Sequence, residues 1–271
     1  MTNSYYMTPL IKIDNLYFKR EDLNPTGSAK DRALPLQIEN LIKGGYQSAV
    51  ISSTGNAAIS ASYYCQQASI PLTIFVSPKI NSAKLSLIKG NIIKSKKPIS
   101  GAIKYAKANH SYLLRQSTDP SAQIAYGQIA TELLTQLPQI SSIFIPVGSG
   151  TTLLGISKIL PKNVKVFAVQ PASNPTICSV FNKNFTLEKE TITDSLSVKY
   201  LPLKNEIIHN IKNHNGSGLI VTNEEAINSL DFIKQFNASP ESALTLAGFY
   251  QAQKIYAVGD YPVILLTGTK R

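Results

Sequence analysis

Residues 18–32 read Phe18-Lys19-Arg20-Glu21-Asp22-Leu23-Asn24-Pro25-Thr26-Gly27-Ser28-Ala29-Lys30-Asp31-Arg32. A β-rich run ends at Lys19, a Pro-Thr-Gly-Ser turn follows, and Lys30 is delivered where a helix begins. Ser28 stands where it can cap that helix. Lys30 lies near the positive end of the helix dipole, a setting that favours the neutral amine needed to attack a carbonyl. An isolated lysine at such a place is more often a surface residue in a helix's first turn. The rest of the chain decides between the two readings.

Outward from this stretch, short apolar runs alternate with helical patterns to the end of the chain. Strands are predicted at Leu16–Lys19, Ala49–Ser52, Leu72–Val76, Tyr112–Arg115, Ser142–Val147, Val164–Val169, Leu219–Val221 and Val263–Thr267. Helices are predicted at Ala57–Ala68, Ser82–Ile88, Ile99–Asn109, Gln123–Leu137, Thr152–Leu160, Glu224–Phe236 and Glu241–Ala257. Thr222 and Glu225 have the spacing of a capping box. Strands separated by helices imply an α/β fold with parallel sheets, whose ligands gather at the carboxyl ends of the strands. Residues 171–217 form the least regular segment.

Two more strand–loop–helix junctions carry polar groups. Ser52-Ser53-Thr54-Gly55-Asn56 brings hydroxyls, an amide and a helix N-terminus together, a cradle for a carboxylate or phosphate or, equally, a plain capped helix start. Pro146-Val147-Gly148-Ser149-Gly150-Thr151-Thr152 is a glycine-rich loop whose backbone N–H groups can approach an anion. Gly155 is misplaced for a dinucleotide fingerprint, so a single phosphate suits this loop better.

In combination and in this order, the three junctions resemble the pyridoxal-phosphate enzymes of fold type II, a family that includes threonine synthase, cysteine synthase, the tryptophan synthase beta chain and the serine/threonine dehydratases. KREDLNPTGSAKDR, SSTGNAAISAS, PVGSGTTLLGI and the terminal LLTGTKR look most like threonine synthase. Weaker echoes occur at Val169-Gln170, at Glu132 and in SPESALTLAGFYQA, so the likeness runs from Tyr17 to Arg271. The resemblance implies two open, twisted, mostly parallel sheets flanked by helices, with pyridoxal 5'-phosphate in the cleft between them. Residues 41–115 would form a small domain, and 1–40 with 116–271 a large one. Lys30 would be the Schiff-base lysine and proton carrier. Asn56 would bond the coenzyme's phenolic oxygen, Gly148, Ser149, Gly150, Thr151 and Thr152 its phosphate, and Thr267 its pyridine nitrogen. Ser53, Thr54 and Gly55, with Ser117, would take the substrate.

The implied reaction is that of threonine synthase, O-phosphohomoserine and water giving threonine and phosphate. One alternative is a β-elimination or replacement enzyme such as a serine/threonine dehydratase; another is a homologue that binds the coenzyme without turnover. The pattern departs from threonine synthase at Gln116-Ser117-Thr118-Asp119-Pro120: an aspartate stands where a neutral amide is usual, and no arginine follows. An aspartate there would repel a phosphate dianion. Arg115 and Lys84 are the cations left to offset it from elsewhere in the chain.

Composition narrows the remaining classes. The 271 residues are 43% hydrophobic and 16% charged, ordinary for a globular protein. No apolar run is long enough to cross a membrane, and no secretory signal opens the chain. Cys65 and Cys178 form no CxxC pair, which points to a reducing cytoplasm without zinc or disulfides. His110, His209 and His214 have no metal-ligand spacing. The net charge is +11, and no acidic residue occurs between Asn40 and Thr118, where ten lysines and arginines lie. A solvated lysine-rich face explains this best, ahead of substrate steering and of nucleic-acid binding, for which no aromatic-basic motif is present. The partners expected are a small amino acid, with or without a phosphate, and a second copy of the chain, with no nucleic acid and no membrane.

Overall fold

The computed structural model describes residues 7–271 apart from 79, 81, 194, 195, 197, 199 and 200, and without the side chains of 83 and 84. Strand β2 (Leu16–Arg20) is one of six in the larger sheet, with β1 (Leu10–Ile13), β7 (Ser142–Pro146), β8 (Lys165–Pro171), β9 (Gly218–Val221) and β10 (Pro262–Leu266). Their order is β1-β2-β10-β7-β8-β9, and every pairing is parallel except the edge hairpin of β1 with β2. A second sheet holds β3 (Ala49–Ser52), β4 (Leu72–Val76), β5 (Asn91–Lys94) and β6 (Tyr112–Leu113), in the order β5-β4-β3-β6 and wholly parallel. The expected α/β class, with two mostly parallel sheets flanked by helices, is what the structure contains.

Period-2 alternation explains why helices cover both faces of the larger sheet. Ile143, Ile145, Val263 and Leu265 point to one side, toward α1 (Lys30–Lys43), α5 (Pro120–Gln136), α6 (Thr151–Ile159) and α7 (Lys204–Asn213). Phe18, Phe144, Phe167, Ile264 and Leu266 point to the other, toward α8 (Asn223–Asn228), α9 (Leu230–Lys234) and α10 (Pro240–Gln253). The smaller sheet packs on α2 (Asn56–Gln67) and α4 (Pro98–Ala108), and α3 (Ser82–Ser86) lies between β4 and β5.

Several elements differ from the sequence reading. The helix expected at Glu224–Phe236 is broken into α8 and α9 at Ser229, while the Thr222–Glu225 capping box forms as expected. Strands β1 and β5 and helix α7 carried short or weak signals and were not anticipated. Ile207 and Ile211 of α7 are buried four residues apart, a helical spacing present inside the segment read as irregular. Ser28 does not cap α1: the N-cap is Ala29, and Ser28 Oγ accepts only a 3.4 Å contact from Lys30 N. Lys43, Lys89, Lys94, Lys96, Lys97, Lys104 and Lys107 are exposed, and the side chains of Lys79 and Lys84 lie outside the described residues.

Beneath the first turn of α1 lies a fully buried ionic cluster. Arg32 donates to Glu21 at 2.8 and 2.9 Å and to Glu132 at 2.5 and 3.0 Å. Lys19 Nζ bonds the same Glu132 carboxylate, the Thr8 carbonyl at 2.8 Å and Gln136 Oε1 at 3.0 Å. Thr8 Oγ1 and Asn24 Nδ2 complete the shell of Glu21 at 2.6 and 2.7 Å. Two cations thus face two carboxylates, so the cluster is neutral. Burial opposes the ionisation of Glu21, but Arg32 and Thr8 outweigh it and hold the carboxyl below its usual range. Since that folded-state value is depressed, its contribution is present at neutral pH and is lost only as pH falls through it.

Helices α5 and α6 pack at small residues. A Cβ on Gly155 would come within 2.4 Å of the Gln123 carbonyl and 2.7 Å of Tyr126 Cβ. Both features lead to measurable expectations. Glu132→Ala removes the carboxylate that Lys19 and Arg32 share, leaving buried positive charge undercompensated, and should lower unfolding free energy in urea by about 3–5 kcal/mol, whereas exposed Glu39→Ala should leave it nearly unchanged. Gly155→Ala forces α5 and α6 apart and should cost about 1–3 kcal/mol in the same assay. Loss of less than about 1 kcal/mol in Glu132→Ala would contradict the role given to the cluster.

Candidate active site

The parallel strands β2, β10, β7 and β8 all end on one edge of the larger sheet, so the loops that follow them are neighbours. After β2, a 3-10 turn (Glu21–Leu23) leads into the turn that carries Lys30. The C-terminal segment clamps that turn. Ala29 N donates to Thr267 O at 3.0 Å, Thr269 N donates to Gly27 O at 2.9 Å, and Ser28 and Gly268 form an antiparallel bridge. The Arg271 guanidinium also donates to Thr26 O. Lys30 is therefore held between the exits of the neighbouring strands β2 and β10, its amine 3.4 Å from the phenol of Tyr126 on α5.

Asp31 joins this turn to the smaller sheet. Its carboxylate accepts from Thr26 N at 2.6 Å, Thr26 Oγ1 at 2.5 Å and Ser60 Oγ of α2 at 2.6 Å. Burial pushes the Asp31 carboxyl up, and the Ser60 and Thr26 hydrogen bonds only partly oppose it. A few residues earlier on α2, Asn56 meets the larger sheet directly. A Cβ on Gly268 would sit 2.7 Å from Asn56 Nδ2, so glycine is what lets the amide approach the strand β10 exit. Lys30, Asn56 and Thr267 are thereby gathered at one place.

The two loops expected to hold anions share a feature. No side chain caps α2, whose N-cap is Gly55, and none caps α6, whose N-cap is Gly150. Thr222 caps α8 and Asp119 caps α5, while α1, α4, α7, α9 and α10 also begin without a side-chain cap. Helix N-termini left without side-chain acceptors are ready sites for an anion. Gly150 has φ +81°, and a Cβ there would lie 2.1 Å from Ile207, so the loop can turn into α6 only with glycine. Ser149 and Thr151 place their hydroxyls 3.1 Å apart at its mouth. Gly148, Ser149 and Thr152 are half-buried, as are Ser53, Thr54 and Gly55, where Ser53 Oγ accepts from Gly55 N at 3.3 Å.

Ser117 lies in the short 3-10 turn after β6, next in order to the Ser53–Gly55 loop. The neighbouring Gln116 has a buried amide nitrogen with no partner among the described residues. Asp119 is occupied: it accepts from Ser121 N and Oγ at 3.0 and 2.6 Å, Gln37 at 2.7 Å and Tyr112 at 2.9 Å. Burial works against its charge, yet these bonds hold the carboxyl below its usual range. Gln170, another echo in the sequence, braces the loop after β8 by accepting from Ile177 N and Cys178 N and donating to the Val147 carbonyl. Tyr126, Asp31 with Ser60, and Gln116 were not anticipated. The one sequence signal for Tyr126 is a large polar side chain set among Ala122, Ala125, Gly127 and Ala130.

Comparisons with known proteins agree with this arrangement. Serine racemase of Rattus norvegicus is 27% identical over 63% of this chain and 58% of its own length. L-threonine ammonia-lyase of Thermotoga maritima is 26% identical over 68% of this chain and 49% of its own. A cysteine synthase of Staphylococcus aureus is 27% identical, over 63% and 64%. The chain thus spans about half to two thirds of the length of these relatives. Among solved structures, a pyridoxal 5'-phosphate-dependent aspartate racemase superposes with a TM-score of 0.85 at 20% identity, over 98% of this chain and 91% of that one. Threonine deaminase isoform 2 from Solanum lycopersicum gives 0.84 at 19% identity, over 98% and 80%, and these likenesses are of fold. Residues 1–268 match the family described as pyridoxal-phosphate dependent enzyme. A family match over nearly the whole chain, on two mostly parallel sheets flanked by helices, leads to one conclusion: this protein belongs to the pyridoxal-phosphate dependent enzyme family.

Proposed function

We infer that this protein removes the α-proton of a small hydroxy amino acid such as serine or threonine and eliminates or re-protonates from there, as an ammonia-lyase or racemase would. The single observation that carries the reading is the position of Lys30, on the first turn of α1, pinned by Thr267 and Thr269 and facing Tyr126. The residues present fit pyridoxal phosphate. Gly268 leaves the gap that Asn56 needs to reach a ring oxygen, and the uncapped α6 N-terminus with Gly150 offers N–H groups to a phosphate. Bound there, the coenzyme supplies an electron sink for the pair left on the substrate's α-carbon.

The protein's own residues supply the rest. Lys30 would hold the coenzyme through its primary amine, and the same Nζ would be the base for the substrate's α-proton. Thr267 offers a hydroxyl to the pyridine nitrogen, a weaker proton anchor than a carboxylate. The Ser53–Gly55 loop and the uncapped start of α2 suit the substrate carboxylate, and the orphan amide of Gln116 is a further donor for it. Ser117 is the next residue in the same 3-10 turn.

The threonine synthase expectation has less support than its alternative. Asp119 sits where that reaction needs a phosphate-binding group, and its four hydrogen bonds keep it anionic. The relatives named above act, by name, as racemase, ammonia-lyase and cysteine synthase. The discriminating experiment loads the protein with pyridoxal phosphate and follows three products in parallel: keto acid from L-serine and L-threonine, D-serine from L-serine, and phosphate from O-phosphohomoserine. Keto acid or D-serine without phosphate release is expected. Phosphate release alone would restore threonine synthase, and inertness to all three would leave a coenzyme-binding homologue without turnover.

A further inference from the structure

We propose that Tyr126 is a positioning residue for Lys30, its phenol orienting the lysine amine and stabilising its proton-bearing form once the α-proton has been taken up. The proposal rests on the reading of Lys30 as the coenzyme lysine. Tyr126 is fully buried, yet its phenol oxygen reaches the Lys30 amine at 3.4 Å, and the amine lies 5.6 Å from the ring centroid. Among the described residues the phenol meets no other hydrogen-bond partner. A buried hydroxyl is expected to have one, so Lys30 satisfies Tyr126 as much as the reverse.

The ring's placement is enforced by packing. Gly155 approaches so closely that an added Cβ would lie 2.7 Å from Tyr126 Cβ, and Gly127 next to Tyr126 faces Ile159 and the Gly155 carbonyl in the same way. The α5–α6 contact thus fixes the tyrosine between the lysine turn and the helix that follows the glycine-rich loop. Lys30, by contrast, has a long and flexible stem, and its backbone clamp does not orient Nζ. The phenol does.

Chemistry gives the contact a direction. When Nζ has taken a proton from the substrate's α-carbon, the ammonium donates to the phenol oxygen, a charge-assisted bond. When Nζ is neutral, the phenol O–H can donate to its lone pair, a weaker neutral bond. The difference favours the protonated amine, and the proton stays on Nζ, oriented, until it is handed on.

The test uses Tyr126→Phe and measures how the rate of covalent pyridoxal-phosphate uptake by the coenzyme-stripped protein depends on pH, a readout of the neutral amine that is independent of turnover. Loss of the phenol acceptor should move the midpoint of that profile to lower pH by about half a unit. In the loaded enzyme, kcat should fall about ten-fold with KM nearly unchanged. If Tyr126→Phe fails to fold, 3-fluorotyrosine placed at 126 alone serves instead; its oxygen is a poorer acceptor, and the midpoint should move the same way by less. An unchanged midpoint overturns the proposal, even where kcat and KM fall together, because a packing defect would do that. Lys30→Ala separates the two levels: if it retains the covalent visible band, the lysine assignment itself fails, whereas a band lost in Lys30→Ala and kept in Tyr126→Phe leaves that assignment standing.

Discussion

The fold turns on four charges buried together under one helix start. Lys19 and Glu21 come from the end of β2, Arg32 from the first turn of α1, and Glu132 from the last turns of α5. Ion pairs of this kind add little net stability over an apolar core, but each half is costly without the other. Their value here is geometric. Arg32 is two residues beyond Lys30, and a bidentate guanidinium gripping two carboxylates leaves α1 one rotation and one depth. The backbone clamp from Thr267 and Thr269 then fixes the other side of the turn. Lys30, the proposed coenzyme lysine, is positioned by charges it never touches.

The same economy joins the two sheets. Asp31 ties the lysine turn to α2 through Ser60, and Gly268 admits Asn56 from that helix. Both contacts lie within a few residues of groups assigned to the coenzyme. Carboxyl edges of parallel strands are where helix N-termini and loop donors collect, and two such edges facing one another double their number. The starts of α2 and α6, which carry no side-chain cap, leave backbone N–H groups at this edge.

Much of this was legible in the sequence. All eight predicted strands occur, because runs such as Ser142–Pro146 are apolar on both faces and flanked by glycine or proline. The exceptions were edge strands: β1 is half-buried and β5 half-exposed, so neither has the apolar density of an interior strand. Helix α7 was hidden by prolines and asparagines on either side. At the site, glycine-rich loops announce themselves locally, whereas Tyr126 and Ser60 act on Lys30 and Asp31 from 96 and 29 residues away, and only tertiary packing connects them. Asp119 was noticed as a departure, but the partners that explain it, Gln37 and Tyr112, come from α1 and β6.

All of this depends on one nitrogen being the point of attachment for the coenzyme. The most direct measurement is to load the purified protein with pyridoxal phosphate, reduce it with borohydride, digest it and locate the phosphopyridoxyl group by mass spectrometry. The account predicts that the label is found on Lys30. A label on any other lysine, with Lys30 unmodified, would contradict it.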